Sequence, residues 1–460
     1  VPYWRCYNPR ALSAKLTIKT ASARKPTHRP MRFCYLLLFL ILPVFSYAQP
    51  PVEVNSKRLN QTMEELAGFG RNPDGAPNRV AYSDGDLKAR VYVRELMDQA
   101  GLETSIDAAG NIIGRRAGKN SGLKPLALGS HIDMVPLGGN YDGCVGSMAA
   151  IEVAKTLDEQ EIILQHPLEV IIFTDEEGGL TGSRALAGAL TKSALKVVNS
   201  TGYSIGAGIE RLGGDTTRLE EVIHPRGSLA AFLEVHIELG GILDEEQLDI
   251  GVVEGIVGIR WWDVTVRGMA NHAGTRPMRQ RQDAMLASAR CIQAVNDEAL
   301  KMEGNQVATV GRITAAPGAP NVIPGEVVLS LEIRDLSEAV IDSLFKNIRA
   351  RAAEIAKSSG TTFDFKGLDT TGKPALTAPF IQKEIAKAAG ALELTYKQMQ
   401  SGAGHDAQDM ALICPVGMIF IPSKNGISHS PDEYSSPGDI TNGANTLLNT
   451  LLQLDSSLSE

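Results

Sequence analysis

The chain has 460 residues, 43% hydrophobic and 21% charged, with a formal net charge of −8 at pH 7. That length predicts more than one domain with ample core, and the acidic balance argues against nucleic acid as the main partner. Beyond residue 48 only Cys144, Cys291 and Cys414 remain. Their wide spacing, with no Cys-x-x-Cys, predicts neither a disulfide framework nor a thiolate zinc site.

Residues 1–30 are basic and irregular, and Met31-Arg32 then precedes the apolar run 33–42 and the small residues Ser46 and Ala48. This reads as a signal peptide over 31–48, cleaved after Ala48, with 1–30 upstream of the true start. The apolar run is short for a spanning helix. The reading therefore predicts a periplasmic or secreted protein with no stable membrane insertion after cleavage. Helices are predicted over 59–66 and 84–97, the second ended by Gly101, and strands near 104–107, 111–115 and 125–129. A helix over 147–157 and a buried strand over 168–174 follow. Such alternation predicts an α/β fold with a mostly parallel central sheet covered on both faces. Ligands gather beyond the carboxyl ends of such strands, where His131 and Glu176 both fall.

The pattern changes near residue 258. Strands at 259–266, 306–313, 325–333 and 361–365, with helices at 283–295 and 337–357, give a strand–helix–strand–strand–helix–strand order. That is the ferredoxin-like plan. The expected domains are a catalytic part over 50–257, an inserted α+β unit over 258–371, and a second catalytic part over 372–460.

The densest chemistry is Asp175-Glu176-Glu177 at a strand end. Three adjacent acids repel one another unless water or a cation neutralises them. His131 and Asp133 are two apart on an extended segment and share a side. Asp133 can orient the histidine or be a ligand itself. Asp142 sits in a glycine-flanked turn from which a carboxylate can reach two ions. Adjacent Glu176 and Glu177 cannot both face one point, so one can ligate while the other acts on water. Glu234, His236 and Glu238 share one strand face, either toward a ligand or along a solvent-exposed edge. His429 follows an apolar run late in the chain, and His272 and His405 lie in glycine-rich loops.

These residues fall in seven ordered motifs. They include Gly129-Ser130-His131-Ile132-Asp133, Tyr141-Asp142-Gly143, Phe173-Thr174-Asp175-Glu176-Glu177-Gly178 and Glu234-Val235-His236-Ile237-Glu238. Asn271-His272-Ala273-Gly274, the stretch 317–325 and Gly426-Ile427-Ser428-His429 complete them. In this the chain resembles the M20 family of metallopeptidases, in its branch of N-carbamoyl-L-amino acid hydrolases, β-ureidopropionases and allantoate amidohydrolases. The resemblance implies a zinc-peptidase-like catalytic domain with an inserted lid and dimerisation domain. It implies two divalent ions (Zn²⁺, Mn²⁺ or Co²⁺) bridged by Asp142, with His131 and His236 on one and Glu177 and His429 on the other. Glu176 would be the general base and Asp133 would orient His131. His272 would stabilise an oxyanion in a neighbouring subunit's site, making the protein a homodimer. Asn321, Arg334 and His405 match positions that bind a small substrate bearing a carboxylate. The family commonly has glutamines where this chain has Val235 and Leu239, which weakens recognition of a ureido end.

The expected function is hydrolysis of a linear amide or ureido C–N bond, of the N-carbamoyl-L-amino acid or allantoate type. The alternatives are an exported aminoacylase or dipeptidase on the same scaffold, and a metal-binding protein that has lost catalysis.

Overall fold

A computed structural model describes residues 51–368 and 372–459. The signal peptide read at 31–48 and the segment 1–30 therefore lie outside the described residues. The first helix, Ser56–Leu66, is capped by the Asn55 side chain and buries Leu59, Met63 and Leu66. The second, Asp84–Gln99, is capped by Ser83, whose hydroxyl accepts from the Asp86 N–H.

The strands β1 (Glu103–Ile106), β2 (Ile112–Arg116), β3 (Leu126–His131), β4 (Leu168–Phe173), β5 (Ala231–Ile237) and β6 (Ile250–Ile256) follow in chain order. After Val257 come β7 (Gly258–Arg267), β8 (Asn271–His272), β9 (Val307–Thr309), β10 (Ile313–Ala316), β11 (Val322–Ile323), β12 (Glu326–Asp335) and β13 (Thr362–Gly367). The last three are β14 (Ala375–Leu376), β15 (Tyr396–Ser401) and β16 (Val416–Ile421).

The larger sheet runs β1-β2-β4-β3-β5-β16-β6-β14, with β15 also on β6. Its middle, β4-β3-β5-β16, is parallel throughout. These four strands are buried along their whole length, as near-continuous apolar runs covered on both faces should be. The flanks are antiparallel at β1·β2, β2·β4, β6·β16 and β6·β14, so the sheet is mixed. Late strand β16 slots beside β5, which brings the loop after residue 421 to the carboxyl edge of these strands. The helix Cys144–Glu159 is buried over nearly its whole length. It lies so close to the sheet that a Cβ on Gly146 would stand 2.1 Å from the Val235 carbonyl oxygen.

The second sheet has the order β10-β12-β7-β13, with β9 also on β12. Every ladder in it is antiparallel. The single strand expected over 306–313 is instead two short ones, β9 and β10, both paired with β12. Counting them as one, the order is fourth-first-third-second, the ferredoxin-like arrangement. Burial alternates along all of β12. One face packs on the helices Ala284–Lys301 and Glu338–Ser359 in a core of its own that includes Val264, Leu331, Leu344 and Ile348. All described residues belong to one compact unit.

Candidate metal centre

Five chain segments deliver the candidate ligands to the carboxyl edge of the parallel strands. His131 is the last residue of β3, and His236 the penultimate residue of β5. Past the end of β4 the backbone turns sharply, with Asp175 at φ +54°. The Asp133 carboxylate accepts from the Glu176 N–H at 3.3 Å and the Glu177 N–H at 3.2 Å, fixing that turn. Asp142 lies just before the helix Cys144–Glu159. Gly143, at φ +62°, admits no other residue there, because a Cβ would stand 2.3 Å from the His131 ring. His429 arrives from the loop after β16, itself at φ +52°.

The side chains meet at Asp142. Its Oδ1 is 3.1 Å from His236 Nε2 and 3.6 Å from His131 Nε2, while its Oδ2 is 3.2 Å from His429 Nε2. Glu177 Oε2 is 3.5 Å from His429 Nε2, and Glu176 Oε2 is 3.7 Å from His131 Nε2. Two groups result that share Asp142: His131–Asp142–His236, and Asp142–Glu177–His429. The outer nitrogens of the first two histidines are spent on backbone carbonyls, His131 Nδ1 on Asp133 at 3.1 Å and His236 Nδ1 on Ile237 at 2.9 Å. A carbonyl only accepts, so it fixes the proton on Nδ1; the Nε2 lone pair of His131 then faces the Asp142 carboxylate, while that of His236 also accepts from the Gly143 N–H at 3.1 Å.

Lone pairs and carboxylates converging in a buried space require a positive charge between them. His131 Nε2 and Glu177 Oε1 are buried without a hydrogen-bond partner. The donor set of imidazole and carboxylate suits borderline divalent ions. The residues therefore fit a metal centre.

The electrostatics carry the same message. Burial alone would raise Asp142, yet His131, His236 and His429 hold its carboxyl well below the usual range. Burial, with Asp406 and Glu177 adding to it, holds Glu176 well above that range despite His131. Burial and then Asp142 push Glu177 up to about 7. Burial works to lower His131, but Glu176, Asp142 and Asp133 outweigh it and hold the ring well above its ordinary value. Asp142, then Glu177, raise His429 to about 9. A dication placed among these groups would favour carboxylates ionised and rings neutral.

Of the other expected site residues, His405 adjoins the cluster and forms a third group of close donor atoms with Glu234 and His236, while the rest lie elsewhere. His405 is buried behind His236, its ring edge-on with centroids 4.4 Å apart and its Nε2 2.7 Å from Ser401 Oγ. Arg334 spends its fork on Glu332 and reaches the Gly402 carbonyl with Nη1 at 2.6 Å. His272 is exposed on β8, beside Asn321, whose carbonyl accepts from the Ala273 N–H. Among the described residues, no hydrogen bond or ion pair joins His272, Asn321 or Arg334 to the Asp142 cluster. Of the face Glu234–His236–Glu238, only His236 enters the cluster's two groups. Strand β5 is central, so the reading of an exposed edge fails. The Glu234 carboxylate accepts from Ser130 Oγ and the Ala407 N–H. Glu238 caps the following helix through the Ile242 and Leu243 N–H groups.

Sequence reasoning missed Asp406 and Glu433. Asp406 follows His405 and is fully buried with both carboxylate oxygens unpartnered. Glu433 underlies the Asp142 loop. Neither belongs to a periodic pattern, and only proximity in sequence to His405 and His429 could have singled them out.

Residues 127–453 match the model of peptidase family M20/M25/M40. The chain belongs to this family. M20 proteins are metal-dependent, in keeping with the donor groups here. The M20 chain is 38% identical over 406 residues to an N-carbamoyl-L-amino acid amidohydrolase of Geobacillus stearothermophilus, covering 87% of this chain and 99% of that one. It is 40% identical over 417 residues to a ureidoglycolate hydrolase of Arabidopsis thaliana, covering 88% and 87% respectively. Among solved structures, an amidase of the hydantoinase/carbamoylase family from Burkholderia multivorans superposes with a TM-score of 0.81 at 34% identity, covering 88% of this chain and 98% of that one.

Proposed function

We propose that the protein is a binuclear metal-dependent amidohydrolase that cleaves a linear ureido C–N bond in a small carboxylate-bearing substrate. N-carbamoyl-L-amino acids lead, with allantoate or ureidoglycolate as close chemical kin. The observation that carries the reading is Asp142 presenting one oxygen to each of two donor groups. The relatives named above act on ureido compounds by their names, and the resemblance spans nearly their whole length.

Two divalent ions, when bound, would acidify an attacking water and polarise the carbonyl. His131, His236, Glu177 and His429 would hold them, with Asp142 between. Glu176, which a neighbouring dication would keep ionised, takes the proton of the attacking water and delivers it to the leaving nitrogen. For an N-carbamoyl amino acid the balance is one water in, with the amino acid, carbon dioxide and ammonia out. Asp133 keeps Glu176 and Glu177 in place through their backbone N–H groups. Arg334 is suited to a substrate carboxylate by its planar fork, but must exchange Glu332 for it. His272 would complete the site of a second subunit in a homodimer. Under the export reading of residues 31–48 the enzyme would meet its substrate outside the cytoplasm, which N-terminal sequencing of the mature protein tests.

The aminoacylase or dipeptidase alternative rests on Leu239, an apolar side chain where the family commonly has a glutamine. Leu239, at φ +64°, lines a cavity of about 710 Å³ whose wall also carries Glu238, Asn305, Gln306 and Gln400. A panel of N-carbamoyl, N-acetyl and dipeptide substrates with added Mn²⁺, Zn²⁺ or Co²⁺ tests both. Turnover of the N-carbamoyl compounds is the expected result, and turnover of N-acetyl compounds or dipeptides alone would replace the leading reading.

A further inference from the structure

The loop that carries His429 does more than deliver one ligand. Four residues on, Glu433 is buried, 4% exposed, and turns back beneath the Asp142 turn. Its Oε1 accepts from the Tyr141 N–H at 2.9 Å and the Asp142 N–H at 3.1 Å. Its Oε2 accepts from Ser428 Oγ at 2.9 Å, and that hydroxyl lies 3.4 Å from Asp142 Oδ2. One carboxylate thus grips the backbone of the shared ligand and, through Ser428, the residue before His429. The partners are 291 and 292 residues apart in sequence. No other side chain among the described residues bonds these two N–H groups.

Gly139 supplies independent support. A Cβ there would stand 1.9 Å from Glu433 Oε1 and 2.5 Å from its Cβ. Because the second contact is near the backbone, no rotation of the carboxylate end relieves it. The glycine makes room for Glu433.

We infer that Glu433 is a positioning residue that sets the spacing between Asp142 and His429, and so the affinity of the second metal group, Asp142–Glu177–His429. The inference rests on the binuclear reading above. Partners that orient ligands without touching the ion commonly govern affinity by roughly 10–100-fold. The geometry also excludes a charge-only role, because the two N–H bonds need an acceptor and not an anion.

The test is Mn²⁺ titration of the full-length protein by calorimetry, with the thermal midpoint of the ion-free protein recorded alongside. Glu433→Ala should weaken the ion held with His429 by roughly 10–100-fold, weaken the other less, and lower the ion-free midpoint only by the cost of leaving the Tyr141 and Asp142 N–H groups unpaired. Glu433→Gln keeps an acceptor and should stay within about threefold of the parent. Gly139→Ala should weaken the same ion in the parent and add nothing in Glu433→Ala, since its effect acts through Glu433. Unchanged Mn²⁺ affinity in Glu433→Ala overturns the inference, as does an equal Gly139→Ala penalty with and without Glu433. If Glu433→Ala does not fold, a Glu433→Gln loss as large as that of Gly139→Ala overturns it. A parent that binds fewer than two ions refutes the binuclear reading itself, a separate outcome.

Discussion

Glu176 and Glu177 are adjacent in sequence and face different partners. Glu176 Oε2 looks toward His131 and Glu177 Oε2 toward His429. The division follows from the turn at Asp175, whose positive φ breaks the strand alternation that would otherwise send them to opposite faces. Glu176→Gln keeps the shape but cannot carry a proton. It should lower kcat by roughly 10²–10⁴-fold while metal content by elemental analysis stays at the parent level. Full activity would remove Glu176 from the proton path. Away from the cluster, Asp409 is pushed up to about 6 by burial, only partly offset by Arg184 at 3.6 Å. A carboxyl whose folded value is raised favours the folded state at low pH, and that contribution is lost as pH climbs from about 4 through about 6. Asp409→Asn should therefore gain stability over the parent between pH 5 and pH 8, by about 1–3 kcal/mol. Denaturant unfolding at both pH values checks this, and a constant difference would contradict it.

At the scale of elements, the site depends on how closely the helix Cys144–Glu159 lies on the sheet. Gly146 has no room for a Cβ, with Val235 O at 2.1 Å and Ser130 Cβ at 2.8 Å from that point. Since both contacts belong to strands that also bear His131 and His236, Gly146→Ala should cost about 1–3 kcal/mol of stability or more. It should also weaken ion binding, as unfolding and metal titration would show. The elements themselves were largely legible. Apolar runs marked β3, β4 and β16, and the strand–helix order after residue 258 marked the second sheet. Illegible were the antiparallel flanks, because the pairing of β6 with β16 joins segments far apart in sequence. The split into β9 and β10 was equally hidden, since both halves answer to one partner, β12. The candidate metal residues that meet at Asp142 could be read because each sits at a strand end or in a turn or loop rich in glycine. Glu433 could not, because its role exists only once β16 has brought residue 433 back to residue 142. His405 read as a loop residue open to substrate, yet Ser401 and His236 draw it into the interior.

On the scale of the whole molecule, the unresolved member of the set is His272. It is exposed, and no contact among the described residues ties it to the Asp142 cluster. Its Nδ1 accepts from the Gly274 and Thr275 N–H groups, which leaves Nε2 to face outward. Nearby in sequence, Met269, Met278, Met285 and Leu286 are exposed apolar residues, of the kind that marks contact surfaces when grouped. If two copies meet there, each can lend His272 to the other's cleft, and subunit mixing separates this from a role within one chain. Glu176→Gln and His272→Ala should each be nearly inactive as pure proteins. In a mixed dimer, the subunit with intact Glu176 would receive His272 from its partner and regain one working site. Random exchange makes half the dimers mixed, so activity should return to about a quarter of the parent's. A His272 acting within its own chain predicts no recovery at any ratio, because neither subunit then holds both groups. Sedimentation of the parent supplies the control, since a monomer at assay concentration with full activity would rule out the shared arrangement before any mixing.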